Sequence, residues 1–156
     1  MSIRMKPLIW TMVLALLPVL WFALLSAFAR RPAGLGATEG RLGPMPTTPN
    51  AVGSQTDDPA YRIAPLEFTD DPASAWQRLQ QVLSHQPRTT IVTVTDRYLH
   101  AESRSQLFRF TDDVEFLLQP EDHQIEVRSA SRVGHSDLGV NRARVEAIRR
   151  EFGVKL

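Results

Sequence analysis

An uncharged apolar run near the N-terminus constrains this chain more than any other feature of its sequence. Residues 7–29 read PLIWTMVLALLPVLWFALLSAFA and contain no charged side chain. A helix of this length can cross the hydrocarbon core of a bilayer, which is about 30 Å thick. The run therefore predicts one N-terminal transmembrane helix within residues 1–31, and it makes the membrane the first expected partner.

The flanks of the run leave its processing and its orientation open. Arg4 and Lys6 precede it and Arg30 and Arg31 follow it, so the positive-inside rule is nearly undecided. The A-x-A pattern at residues 27–29 also suits a cleaved signal peptide, which gives a secreted protein as the alternative. An anchor is favoured because the run is long for a signal peptide. We expect a single-pass protein with its C-terminal domain outside the cytoplasm, in a periplasmic position.

The composition limits which classes of partner and which kinds of chemistry this chain can have. The chain has 156 residues, which suits one domain with appendages. Its net charge of +1 gives no reason to expect nucleic acid as a partner. It has no cysteine, which excludes disulfides, thiolate metal sites and a cysteine nucleophile.

Two further regions follow the apolar run. Residues 32–60 are rich in Pro, Gly and Thr and show no apolar periodicity, so they predict a flexible linker. Its end, residues 49–54, could be ordered against the domain. Residues 61–156 carry the periodic patterns of a folded domain.

The pattern after Tyr61 predicts a small α+β domain. Asp71 and Pro72 begin a helix that ends near His85, and a second helix runs from about Leu138 to Phe152. Between them lie alternating strand signals near residues 90–95, 98–102, 114–118 and 125–130. Short connections imply antiparallel pairing, and one half-buried sheet needs its apolar face covered. We therefore expect two layers, an antiparallel β-meander packed against two helices, preceded by the transmembrane helix.

Three motifs resemble a known family. They are Tyr98-Leu99-His100-Ala101-Glu102, the segment from Ser105 to Phe116 with Leu107-Phe108-Arg109-Phe110 and Asp112-Asp113-Val114-Glu115-Phe116, and the stretch from Arg128 to Arg142 with Ser136-Asp137-Leu138-Gly139-Val140-Asn141-Arg142. Together with Pro49-Asn50 and Ile63-Ala64-Pro65-Leu66 they closely resemble the DUF1499 family, which is one of unknown function. The resemblance supports the domain boundaries and implies no reaction. Two positions depart from the family pattern: Ala51 stands where a cysteine is frequent, and His135 where a tyrosine is frequent.

Polar residues around the last strand and last helix form a candidate ligand-binding site. They are Arg128, Ser129, Ser131, Arg132, His135, Asp137, Asn141 and Arg142. Guanidinium groups beside a helix start suit an anion, and Gly134 permits a sharp bend there. We expect Arg132 to point outward to the anion, Asp137 to cap the helix, and Asn141 to hydrogen-bond to the strand end. The alternative is a structural network that locks the strand to the helix.

Four carboxylates form a second candidate cluster: Glu102, Asp112, Asp113 and Glu115. On a regular strand Asp113 and Glu115 share a face, while Asp112 points away. Such groups serve acid–base chemistry or cation binding, or they are simply paired with arginines such as Arg128.

The sequence gives little sign of catalysis. None of the four histidines has a second histidine at ligand spacing, so no metal or other cofactor is expected. There is no G-x-S-x-G elbow. The first hypothesis is a membrane-tethered, extracytoplasmic module that binds a small anionic ligand or a protein partner. The alternatives are an envelope-associated hydrolase that uses the carboxylates and His135, and a purely structural envelope protein.

Overall fold

The structure, a computed structural model, describes residues 29–106 and 109–154, together with Leu14 and Leu17. Within this part of the chain, no helix has the length and apolarity needed to cross a bilayer. The transmembrane helix predicted over residues 7–29 lies outside the described residues, apart from Leu14, Leu17 and Ala29. It stays a prediction without support from the structure.

The described residues form eight strands and two helices. In chain order these are β1 (Ala37–Thr38), β2 (Arg41–Leu42), β3 (Ala51–Gly53), β4 (Leu66–Glu67), α1 (Pro72–His85), β5 (Thr89–Val94), β6 (Tyr98–Arg104), β7 (Thr111–Gln119), β8 (Gln124–Ser131) and α2 (Val140–Gly153).

Six of the strands form one antiparallel sheet. Its order is β3-β8-β7-β6-β5, and β4 pairs with the same edge of β8 as β3 does. The strands from β5 to β8 are connected by short turns as a meander, because each pairs antiparallel with the next. The predicted α+β class with an antiparallel sheet and two helices is confirmed.

Both helices cover one face of the sheet. Alternation along β7 turns Val114, Phe116 and Leu118 towards the helices, and all three are buried. Helix α1 begins as predicted, with Pro72 in its first turn and the Asp71 carboxylate accepting the N–H of Ser74. This layer contains the hydrophobic core.

Helix α2 begins two residues later than predicted. Its N-cap is Gly139, and Leu138 before it adopts a left-handed φ of 54°. This turn directs Leu138 into solvent, where it is 93% exposed, so the residue predicted to begin the helix lies outside it. Asp137 still supplies the capping carboxylate, because it accepts the N–H groups of Gly139 and Asn141.

The other face of the sheet is crossed by residues 31–45, which we call the strap. It includes the β1–β2 hairpin, and it contacts the sheet through hydrogen bonds such as the one from Gly36 N–H to Glu115. β3 lies within residues 49–54, the end of the predicted linker for which order against the domain was left open, and it is a buried strand of the main sheet. The strap needs no apolar periodicity because polar contacts, many of them to its backbone, hold it to the sheet.

Candidate functional site

The face of the sheet beneath the strap is lined with charged and polar side chains, and we call it the polar face. Its residues on β6, β7 and β8 are Tyr98, His100, Glu102, Asp113, Glu115 and Arg128. Strand alternation places them opposite the helices. Most are buried, so their charges must be paired within the protein to avoid a large desolvation cost.

Three of these side chains, His100, Glu102 and Asp113, meet Arg132 just past the end of β8. We call these four residues the ion cluster. Arg132 Nε lies 2.9 Å from Asp113 Oδ2, and its Nη2 lies 2.7 Å from Asp113 Oδ1, a bidentate arrangement. The same Nη2 lies 2.5 Å from Glu102 Oε1. His100 Nε2 lies 2.8 Å from Asp113 Oδ1. Arg132 thus joins two carboxylates from adjacent strands.

The strap contributes a second cation to this cluster. Arg31 Nη2 donates to Glu102 Oε1 at 2.8 Å, although 71 residues separate the two in sequence. Burial alone would raise the pKa of Glu102, but the hydrogen bonds from Arg31 and Arg132 outweigh burial and lower that pKa. The bond from Arg31 to Glu102 fixes the chain to the sheet two residues after Ala29, where the apolar run of the sequence ends.

The carboxylate of Asp113 is held in its ionised form. Burial would raise its pKa, and the hydrogen bonds from Arg132 and His100 reverse that effect, so the pKa is lowered. The hydrogen bond to Asp113 raises the pKa of Arg132 in turn, which keeps the guanidinium charged. The ion cluster is therefore a fixed salt bridge at neutral pH.

The donor atoms of the ion cluster also match a metal site in type. One imidazole nitrogen and two carboxylate oxygens, from His100, Glu102 and Asp113, lie within 4.8 Å of one another. However, Arg132 already binds the oxygens of both carboxylates. A divalent ion could use these oxygens only after displacing that guanidinium, so the geometry fits an internal salt bridge better than a metal.

A second group on the polar face joins the sheet to the strap. Arg128 binds Glu115 through Nε at 2.6 Å and donates to Pro44 O at 2.6 Å and Gly34 O at 3.2 Å. Tyr98 Oη donates to Glu115 Oε1 at 2.7 Å. Burial, followed by the adjacent Glu115 carboxylate, raises the pKa of Tyr98, so the phenol remains a donor.

The strap, β3 and β8 line an open-sided cavity of about 720 Å³. A volume of this size suits a small ligand. Its charged lining residues are Arg41 and Arg128, and most of the other lining residues belong to the strap. Gly43 allows the strap to close on itself, because a Cβ there would lie 2.2 Å from Gly34 O.

A third polar group lies on the helix side and holds α2 to the sheet. The fully buried Asn141 accepts from Ser129 Oγ at 2.5 Å and donates to Asn50 O at 2.9 Å and Ser131 Oγ at 3.0 Å. The predicted bond between Asn141 and the strand end is confirmed. Arg144 binds the same Asn141 oxygen at 2.6 Å and pairs with Asp112.

The residues of the predicted ligand site do not converge on one pocket. Arg128 and Arg132 lie on the polar face, whereas Ser129, Ser131 and Asn141 lie in the helix-side group. Arg142 donates to the carbonyl groups of Arg62 and Ala60, and His135 is exposed in the loop before α2. The expectation that Arg132 points outward is wrong, since its side chain is only 8% exposed and binds two carboxylates.

The predicted carboxylate cluster also divides between the two faces. Glu102 and Asp113 meet in the ion cluster, Glu115 binds Arg128, and Asp112 points to the helices, as the strand parity predicts. Sequence reasoning missed the roles of Arg31, Tyr98 and Arg144. Strand alternation puts Tyr98 on the same face of β6 as His100 and Glu102, so its place on the polar face could have been predicted. Arg31 lies in a segment without periodicity, so no pattern pointed to its role.

Fold and site together define a small α+β domain whose antiparallel sheet buries an ion-paired polar face beneath an N-terminal strap. The chain belongs to the DUF1499 family, described as a protein of unknown function, whose model matches residues 41–152. That match runs from β2 to α2 and confirms the resemblance seen in the sequence. No curated protein and no solved structure shows significant similarity to the chain.

Proposed function

We propose that this protein is a membrane-tethered, extracytoplasmic interaction module. The observation that carries the proposal is the folding of the strap onto the polar face, with Arg31 bound to Glu102. The apolar run ends at Ala29, so the tether has no slack between that run and the domain. A module that acts through its surface at a membrane needs this close attachment, whereas a soluble enzyme does not.

The electrostatics of the polar face support binding rather than catalysis. A general acid or base works best when its pKa lies near the working pH. Here arginines lower the pKa values of Glu102 and Asp113, which makes both poor proton carriers at neutral pH. The histidine that contacts Asp113 is His100, and not the His135 of the hydrolase hypothesis.

A small anionic ligand, if the module takes one, fits the strap cavity best. Arg41 and Arg128 line that cavity, and Arg128 is the member of the predicted ligand site that does so. Native mass spectrometry of the purified full chain tests this part of the proposal. A bound small anion that is lost in Arg41→Gln supports it, and a chain with no bound mass removes the ligand from the proposal.

Paired reporter fusions at the C-terminus test the tether and its orientation. We expect an alkaline phosphatase fusion to be active and a cytoplasmic fluorescent fusion to be dark, with the chain resistant to carbonate extraction. A chain without residues 7–29 is the control and should be soluble, with its phosphatase inactive. An inactive phosphatase with a bright fluorescent reporter contradicts the topology. A shortened N-terminus on soluble protein identifies a cleaved signal peptide instead.

A further inference from the structure

The two ends of the sheet carry opposite charge. We call one the anchor end: it comprises residues 29–31, the loop that follows α1, the end of β6 with residues 105–106, and the loop that follows β8. Its exposed charged side chains, within the described residues, are the basic Arg30, Arg31, Arg88 and Arg104. Strand pairing brings these loops together, because Thr89 is opposite Ser103, Arg104 is opposite Thr111, and Asp112 is opposite Ser131.

The acidic groups at the anchor end are paired or hydrogen-bonded within the domain. Glu102 and Asp113 are neutralised within the ion cluster, and Asp112 is paired with Arg144. Asp137 accepts backbone N–H groups at the start of α2. Arg31 and Arg104 lie 2.8 and 3.8 Å from Glu102, so their charge is partly offset within the domain. Among the described residues, the cations of the anchor end and their partners still outnumber the carboxylates there.

The opposite end of the sheet, the far end, is acidic. It comprises the turns after β5 and β7, the segment from β4 to the start of α1, and the end of α2. Within the described residues, its exposed acidic side chains are Glu67, Asp71, Asp96, Glu121, Asp122 and Glu151, and its exposed cations are Arg97 and Arg150. The net charge of +1 for the whole chain thus conceals a charge separation along the strands.

The anchor end also carries an exposed apolar side chain, Leu138 in the loop after β8. Leu138 is 93% exposed, more than any other large hydrophobic residue that the structure describes, and its φ is 54°. Arg88 at the same end also has a left-handed φ, of 56°. Residues other than glycine rarely adopt this conformation, and such residues concentrate at functional sites.

We propose that the anchor end docks on the surface of the bilayer that holds residues 7–29, with its arginines on lipid phosphates and Leu138 in the interfacial layer. The inference rests on the proposed function, because it requires the tether. Arg31 is bound to Glu102, and the two residues back to Ala29 span at most about 7 Å. The basic loops therefore lie at the depth of the headgroups.

A lipid surface satisfies both features of the anchor end. Arginines attract anionic headgroups, and an apolar side chain beside them gains from partial burial at the acyl boundary. The far end, being acidic, is repelled by the same surface and faces away from it. The docked orientation is thus set by charge as well as by the short connection.

Site-specific fluorescence can measure this orientation, because the natural chain has no cysteine. Gln106→Cys labels an exposed position at the anchor end, and Asp122→Cys labels the far end. The full chain is reconstituted in phosphatidylcholine vesicles, with or without phosphatidylglycerol, that contain a headgroup-attached quencher. We expect several-fold stronger quenching at position 106 than at 122, an increase with phosphatidylglycerol, and a decrease with added salt.

Charge variants with a matched control test the role of the arginines. The combination Arg30→Gln, Arg88→Asn and Arg104→Gln should remove most of the dependence on phosphatidylglycerol. The combination Arg62→Gln, Arg97→Gln and Arg150→Gln removes the same charge from exposed positions elsewhere and should leave that dependence intact. Equal effects of the two combinations overturn the proposal in favour of a general attraction by net charge.

Leu138→Asn separates membrane contact from folding. Asparagine tolerates a left-handed φ better than leucine does, so the variant should melt no lower than the parent chain. It should still reduce quenching at position 106. A chain that floats with the vesicles but is quenched equally at positions 106 and 122 overturns the docking alone. A chain that does not float with them overturns the tether, and the docking with it.

Discussion

Arg132 is the residue on which the ion cluster depends. It binds Asp113 through two nitrogens and Glu102 through one, and its side chain is nearly buried. Removing one partner of a buried ion pair costs about 3–5 kcal/mol, because the remaining charge is left buried. We expect Arg132→Ala to lower the free energy of unfolding by about this amount in chemical denaturation.

The exposed Arg97 is the matched control for this variant. It pairs with Glu121 across 3.6 Å at the surface, and such pairs contribute at most about 1 kcal/mol. Arg97→Ala should therefore be nearly neutral. If Arg132→Ala is equally mild, the ion cluster contributes little to stability and Arg132 is available for another role.

The same cluster predicts how stability depends on pH. The folded-state pKa values of Glu102 and Asp113 are lowered, so their contribution is complete above the unfolded values of about 4.3 and 3.9. This contribution to stability is lost as the pH falls through the lowered pKa values of the folded state. We expect the free energy of unfolding to decrease below about pH 4, and to decrease less steeply in Arg132→Ala. Identical acid profiles for the two chains would show that the pairing is absent in solution.

At the scale of secondary-structure elements, Asn141 connects α2 with β8 and with the residue before β3. Its side chain binds Ser129 and Ser131 on β8 and the carbonyl group of Asn50 before β3, while its backbone belongs to α2. Each buried group left unsatisfied costs about 1–3 kcal/mol. Asn141→Ala should therefore destabilise the chain by at least about 2 kcal/mol in thermal or chemical unfolding.

Arg150→Ala, an exposed substitution in the same helix, controls for helix propensity and should change stability little. A neutral result for Asn141→Ala would mean that α2 is held by its apolar contacts alone. Those contacts come from Val145, Ile148 and Phe152, all of which are buried.

Elements whose apolar residues recur with a helical or strand period could be predicted from the sequence. Contacts between residues that are far apart in the sequence could not. Helix α1 follows from local rules alone, and so does the placement of Asp112 and Asp113 on opposite faces of the sheet. Arg132 lies just past the end of β8, where the period no longer fixes direction, and its partners come from β6 and β7. Its inward orientation depends on tertiary pairing, which a single sequence does not encode locally.

The strap was missed for a related reason. Residues 31–45 contact the sheet through backbone groups and a single terminal arginine, so their sequence carries no apolar pattern. Proline and glycine there are equally compatible with a flexible linker. The start of α2 differs from prediction because a left-handed turn at Leu138 and Gly139 intervenes between Asp137 and the helix.

At the scale of the whole molecule, the strap and β3 belong to the folded unit. A chain that begins at Tyr61 leaves Arg128 without its carbonyl partners Pro44 and Gly34 and removes β3 from the edge of β8. We expect that chain to show no cooperative thermal transition, whereas a chain that begins at Ala29 should melt cooperatively. Equal melting of the two would show that the strap is dispensable for folding.

Hydrogen exchange of the strap amides in the full chain tests most directly whether the strap is part of the fold. Gly36 N–H donates to Glu115 at 2.7 Å, and Leu42 N–H donates to Gln55 Oε1 at 2.8 Å. Both amides should be protected well beyond a free peptide, and Gln55→Ala should release Leu42 while leaving Gly36 protected. Exchange of both amides at the rate of an unstructured chain would contradict the account, because residues 31–45 would then be a flexible linker and not part of the folded unit.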